Sequence, residues 1–295
     1  MAPLKYFQRL LIIAGIFTLF FVITIMSISL VQEYTGIDRS SRSSLLIMAV
    51  IQSVVLFICP SLLSARLVSE KTFSFLSLDR GPGWLPVLGI VFAYLIALPF
   101  LNQLIFWNAN ISFPDVIADW GETLREMEDN ANNASGRMLD VTSWPGLVVN
   151  LLMIGVLTAF GEELFFRGTL QNAAASAGAP HTAIWVVALI FSAMHFQVFG
   201  FVPRLLLGAW FGYLLYWTKS IYVPVLAHFI NNGIVVLCSW LVSRGVNYDF
   251  ENFGVVDTGF PVPAFVSCLA FVVFIVFFRR FFFHREEKYK NIVYG

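Results

Sequence analysis

The chain has 295 residues, 58% of them hydrophobic and only 12% charged, with a mean hydropathy of +0.79. A soluble domain carries about a quarter charged residues, so this composition excludes an ordinary water-soluble fold and points to lipid as the solvent. The 18 Lys+Arg balance 18 Asp+Glu, which leaves a nucleic-acid partner without electrostatic support.

Lys5 and Arg9 precede an apolar run from Leu10 to Val31. That run outlasts a secretory h-region and no small-x-small cleavage site closes it, so it reads as a retained first span. Crossing the hydrocarbon as a helix takes roughly 20 apolar residues. Eight stretches meet or approach this, at about 8–32, 45–68, 86–108, 146–175, 181–199, 202–219, 221–243 and 262–283. Lys219 and Pro224 barely separate the sixth from the seventh. The expected fold is therefore all-α, a polytopic membrane bundle of about eight transmembrane helices. It reads as one domain over 1–295, with its polar motifs in about 146–243. The 31 Phe and 8 Trp suit a lipid-facing surface with interfacial anchors. Cys59, Cys238 and Cys268 lie in apolar runs without C-x-x-C spacing and read as small core hydrophobes.

An even number of spans puts both termini on one side. Lys5, Arg9, Arg66, Lys71, Arg80, Lys219, Arg279, Arg280, Arg285, Lys288 and Lys290 then share that side. Arg39, Arg42, Arg125, Arg137, Arg204 and Arg244 face the other. The bias predicts cytoplasmic termini, and the plasma (inner) membrane in a bacterial host. The long connection at about 109–145 then falls outside. Its Asp115, Asp119, Glu122, Glu126, Glu128 and Asp129 predict an acidic surface helix with Trp120, Leu124 and Met127 as an apolar stripe. It reads as a solvated connection; the alternative is a gate or substrate platform. Asn110-Ile111-Ser112 and Asn133-Ala134-Ser135 match the N-glycosylation pattern, which matters only in a host that glycosylates.

Ionisable groups at membrane depth are expensive, and each marks a functional-site hypothesis. Here they are Glu162, Glu163, Arg167, His195 and His228, joined by Asn231 and Asn232. Glu162 and His195 lie about 14 and 15 residues from the turn near Ser176–Pro180, hence roughly 21–23 Å from it in an antiparallel hairpin. His228 and Asn232 lie roughly 10–17 Å into their own span. The depths agree if the hairpin projects about 10 Å into the cytoplasm, which predicts a site in the cytoplasmic half of the bilayer.

Glu163 and Arg167 are four apart with the acid first, the favourable order for a helical ion pair. Glu162 lies about 100° round the helix and is left free to face another span. His228 and Asn232 share a face, whereas Asn231 points elsewhere. Phe191 shares a face with His195 and forms an aromatic wall that limits water. In an apolar cavity, a carboxylate can take a proton from water, and His and Asn can donate to an oxyanion. Glu162, His195 and His228 equally make a catalytic zinc set, and spacing alone does not choose. His181 and His284 read as structural or solvated.

These residues resemble the three motifs of the CAAX prenyl protease and bacteriocin-processing (Abi) family. Glu162-Glu163-Leu-Phe-Phe-Arg167 matches E-E-x-x-x-R, Phe191-Ser-Ala-Met-His195 matches F-x-x-x-H, and His228-Phe-Ile-Asn231-Asn232 matches H-x-x-x-N. The motifs occupy about 155–235 in the family's order, whereas the first three spans and the acidic loop carry no signature. The resemblance implies an eight-helix membrane endopeptidase. Glu162 and His195 would activate the hydrolytic water, His228 and Asn232 would form the oxyanion site, and Glu163, Arg167 and Phe191 would support them. It implies a peptide or protein substrate at the membrane, lipid-modified in the CAAX enzymes, and no obligatory cofactor, with zinc as the alternative. The rival expectation is a non-catalytic scaffold or proton-coupled transporter, although the polar groups cluster at one depth without paired broken helices.

Overall fold

The computed structural model describes residues 6–247, 249–250 and 252–293, with side chains described as far as Arg280. Lys5 therefore lies outside the described residues, and His284, Arg285, Lys288 and Lys290 lie beyond the described side chains. Among the described residues there is no strand. The principal helices are α1 (Tyr6–Thr35), α2 (Arg42–Val68), α3 (Trp84–Ala109) and α4 (Ala118–Leu139). They continue with α5 (Trp144–Ala175), α6 (Pro180–Ala193), α7 (Phe201–Thr218), α8 (Tyr222–Ser243) and α9 (Val262–Val293).

Seven of them, α1, α2, α3, α5, α7, α8 and α9, are long and apolar enough to cross a membrane. Their outer faces are apolar as well: Phe265, Leu269, Val273 and Phe277 of α9 and Leu11, Leu19 and Met26 of α1 are exposed. Water would penalise that surface and hydrocarbon does not. The protein is an integral, multi-pass helical bundle.

Each predicted span falls on a helix, but the fifth is shorter than expected. α6 has 14 residues, about 21 Å at 1.5 Å per residue, against roughly 30 Å of hydrocarbon. The helix stops at Ala193, Phe196 turns the chain with φ of 54°, and a 3₁₀ turn at Val198–Gly200 leads into α7. The apolar residues Phe196, Val198 and Phe199 carry hydrophobicity straight through this break. Nothing before Gly200 punctuates it.

His195 therefore sits on a turn at the far end of α6 from Pro180, and not within a span. The depth argument assumed a mid-helix His195; the His195 turn lies instead against α4.

The connection at 109–145 is also more ordered than a solvated loop. A 3₁₀ turn at Asp115–Ile117 leads into the 22-residue α4. Of the expected apolar stripe only Leu124 lies on the inward face, since Trp120 is 74% exposed and Met127 is 43% exposed. With it Gly121, Glu128, Ala131 and Ala134 are the more buried positions, spaced three and four apart. Small residues let α4 lie close to the bundle, and Glu128 is buried beneath it.

α5 runs through the centre, packed by α1, α2, α6, α7 and α8. It is α-helical at Thr158–Glu163, between π-helical stretches at Leu151–Leu157 and Leu164–Gln171. Such wide turns are rare and concentrate at functional sites; here the two glutamates sit at the joint. Gly161 lets α5 touch α2 backbone to backbone, because a Cβ there would fall 2.9 Å from the Ser53 carbonyl oxygen.

Candidate active site

The site assembles around α5. Glu163 and Arg167 form the expected pair, with Nη1 to Oε1 at 3.0 Å and neither side chain exposed to solvent. A buried guanidinium needs more than one partner. Arg167 also donates from Nη2 to the Gly208 carbonyl at 3.1 Å. Aromatic faces enclose it, with its Cζ 4.4 Å from the Phe191 centroid and 5.5 Å from that of Phe211.

Glu163 has a second partner that sequence spacing did not reveal. His228 donates from Nδ1 to Glu163 Oε1 at 2.8 Å, so one carboxylate oxygen serves both Arg167 and His228. This contact fixes a proton on Nδ1 and turns Nε2 toward Glu162, whose Oε2 lies 3.9 Å away. Phe211 stacks on the His228 ring at 5.1 Å. Phe191 stands edge-on to both imidazoles, 4.9 Å from His195 and 6.0 Å from His228. It is thus the wall between them.

His195 is half-buried, and its Nδ1 lies 2.8 Å from the Phe191 carbonyl. A carbonyl only accepts, so Nδ1 carries the proton and Nε2 presents a lone pair. Glu162, His228 and Arg204 all act electrostatically on this ring. Glu162 is 7% exposed, and its Oε2 makes no hydrogen bond among the described residues.

Asn232 also faces α5, donating from Nδ2 to the Ile154 carbonyl at 3.1 Å. That leaves its second amide proton free. Asn231 does not point away from this group as expected. It accepts from the buried Tyr94 hydroxyl at 2.6 Å and donates to Asn232 Oδ1 at 3.2 Å. The chain Tyr94–Asn231–Asn232 therefore fixes which way the Asn232 amide lies. Tyr94 comes from α3, a span without any motif, and the only sequence hint was the adjacent second asparagine.

His181 is outside the cluster, with Nδ1 3.3 Å from the Tyr213 hydroxyl. Among the described residues no three His, Cys, Asp or Glu side chains are grouped as a metal site.

Fold and site together define a polytopic membrane protein with a Glu/His/Asn centre buried among its helices. Residues 144–234, which hold every motif residue named above, match the family model described as type II CAAX prenyl endopeptidase Rce1-like. The match falls on the stretch that carries the three motifs. Over 91 residues the chain is 31% identical to Uncharacterized protein YpbD of Bacillus subtilis (strain 168), covering 30% of this chain and 44% of that protein. The chain thus spans less than half the length of that curated relative. No solved structure matches.

Proposed function

We propose that the protein is an intramembrane endopeptidase that hydrolyses a peptide bond of a membrane-associated peptide or protein without a metal. The observation that carries this reading is Glu162 Oε2, buried, unbonded and 3.9 Å from His228 Nε2. That gap is too long for a hydrogen bond and suits a water held by both groups.

In the reaction, Glu162 takes a proton from the water, with the His195 Nε2 lone pair orienting it. The water oxygen bonds to the carbonyl carbon, and the carbonyl electrons move onto its oxygen. That oxyanion accepts from His228 Nε2–H and from the free Asn232 amide proton. Collapse breaks the C–N bond, and Glu162 returns its proton to the leaving amine.

His228 needs its second proton for this role. Glu163 and Arg167 hold His228, and Tyr94 and Asn231 hold Asn232. Substrates carrying a lipid group belong to this reading through the similarity of residues 144–234 to the Rce1-like family model.

The test is a cleavage screen of membrane-associated peptides, with and without a prenyl group, beside a flux assay in liposomes. Solute flux without cleavage would replace the hydrolase by a transporter; neither activity would leave a scaffold. Stripping metal is expected to leave most of the turnover intact. Loss on chelation that stoichiometric zinc restores would return Glu162, His195 and His228 to the role of ligands.

We also place both termini in the cytoplasm, on the basic-residue bias. Cysteine probes applied outside intact cells should then label a position near Asn130 and miss one near Lys288. External labelling of the tail would invert the topology.

A further inference from the structure

The turn that carries His195 contains a residue with no local reason to be where it is. Phe196 has φ of 54°, the left-handed region that a bulky side chain avoids. A residue stays there only when its surroundings over-determine it. Its own packing does not, since Phe196 is 70% exposed. The restraint must come from its neighbours.

They are held from three sides. Gln197 donates from Nε2 to Glu128 Oε1 of α4 at 3.1 Å. Arg204 of α7 donates to the Gln197 carbonyl at 3.2 Å and to its Oε1 at 3.0 Å. Asn108 of α3 donates to the Val198 carbonyl at 3.1 Å and accepts from the Val202 N–H at 2.8 Å.

Asn108 and Arg204 belong to spans. Glu128 comes from the helix outside them, and its placement is costly. It is 9% exposed, its Oε2 has no hydrogen-bond partner among the described residues, and its neighbours on that face are small or apolar. Surface carboxylates are normally left in water. Arg204 lies in the field of both Glu128 and Glu162, so the buried carboxylate shares with Glu162 the balancing of that cation. Arg125 pins α4 over the same turn, its guanidinium 3.6 Å above the Phe199 ring and bonded to the Ala109 and Ile111 carbonyls.

We propose that Glu128 is a positioning residue: by holding Gln197 it fixes the left-handed turn that aims His195 into the site. The extramembrane helix α4 is then a working part of the active centre. The proposal rests on the hydrolase reading for its chemical consequence and on the turn itself for its structural one.

Both are read on the full chain in nanodiscs. Glu128→Ala is expected to raise amide exchange at residues 194–198 at least about tenfold while leaving 160–170 unchanged. It should lower kcat by about 10²-fold, as expected for a misplaced catalytic group, with KM unchanged. Gln197→Ala should behave alike. Glu128→Gln keeps an acceptor for Gln197 and should restore most of both losses.

Unchanged exchange at the turn in Glu128→Ala overturns the tether. Faster exchange with normal kcat overturns the positioning role. A loss spread evenly over the helices, or one that Glu128→Gln does not relieve, reduces Glu128 to a stability residue or a bare charge. A wild type that cleaves nothing refutes the hydrolase reading and the chemical half of the proposal with it; the exchange comparison then decides the structural half alone.

Discussion

Glu162→Gln is expected to abolish cleavage while leaving the fold intact. The substitution keeps size and shape, and the oxygen it alters, Oε2, makes no hydrogen bond among the described residues. Little structural support is therefore lost. What disappears is the group that takes the water's proton, and one positioned acid–base group is typically worth 10²–10⁴-fold in rate. Turnover of a peptide substrate should fall by at least that much, with the melting temperature in detergent close to wild type. Near-normal cleavage by this variant would end the assignment of Glu162 as base and move attention to His195, whose free nitrogen is the next available lone pair.

Glu163→Gln should fail in a different way. Its carboxylate is the charged partner of Arg167 at 3.0 Å and accepts from His228 Nδ1 at 2.8 Å. Removing one member of a buried pair costs on the order of 3–5 kcal/mol. Arg167 cannot escape by snorkelling, since it is fully buried and enclosed by Phe191 and Phe211. A large drop in thermal stability is expected, and Glu163→Gln with Arg167→Gln together should recover part of it.

The folded fraction of the single variant should also lose activity, because a neutral amide replaces the carboxylate that holds His228 by its Nδ1–H. A fully stable Glu163→Gln would show that the pair does not support the fold. If that stable protein were also catalytically dead, both carboxylates would belong to the chemistry.

Much of this centre could be read from the chain because it is helical. Four-residue spacing holds Glu163 to Arg167 even where the helix widens to π geometry. The same spacing turns His228 and Asn232 together onto α5. What could not be read was contact between helices. The sharing of Glu163 between Arg167 and His228 joins residues 65 apart, and nothing local in either motif encodes it.

Tyr94 escaped notice because an aromatic residue in an apolar span looks the same whether it faces lipid or an asparagine. The end of α6 escaped because hydropathy does not distinguish a helix from an apolar turn. Glu128 was hidden for the opposite reason: six acidic residues in one connection look equally solvated, and only tertiary packing singles one out.

The contact between α5 and α7 carries a further consequence. Arg167 and Gln171, one turn apart, donate to the carbonyls of Gly208 and Gly212, also one turn apart. A carbonyl has two lone pairs, so each oxygen can take this bond while staying in its own helix. The recognition is written in main chain, and the side chains of α7 are largely free to drift without erasing it. Drift stops at the two glycines, where a Cβ would come within 3.3 Å of Arg167 Nη2 and 2.7 Å of Gln171 Oε1. A search for distant kin of this protein would therefore do better to look for that pair of absences four residues apart than for any side chain α7 presents.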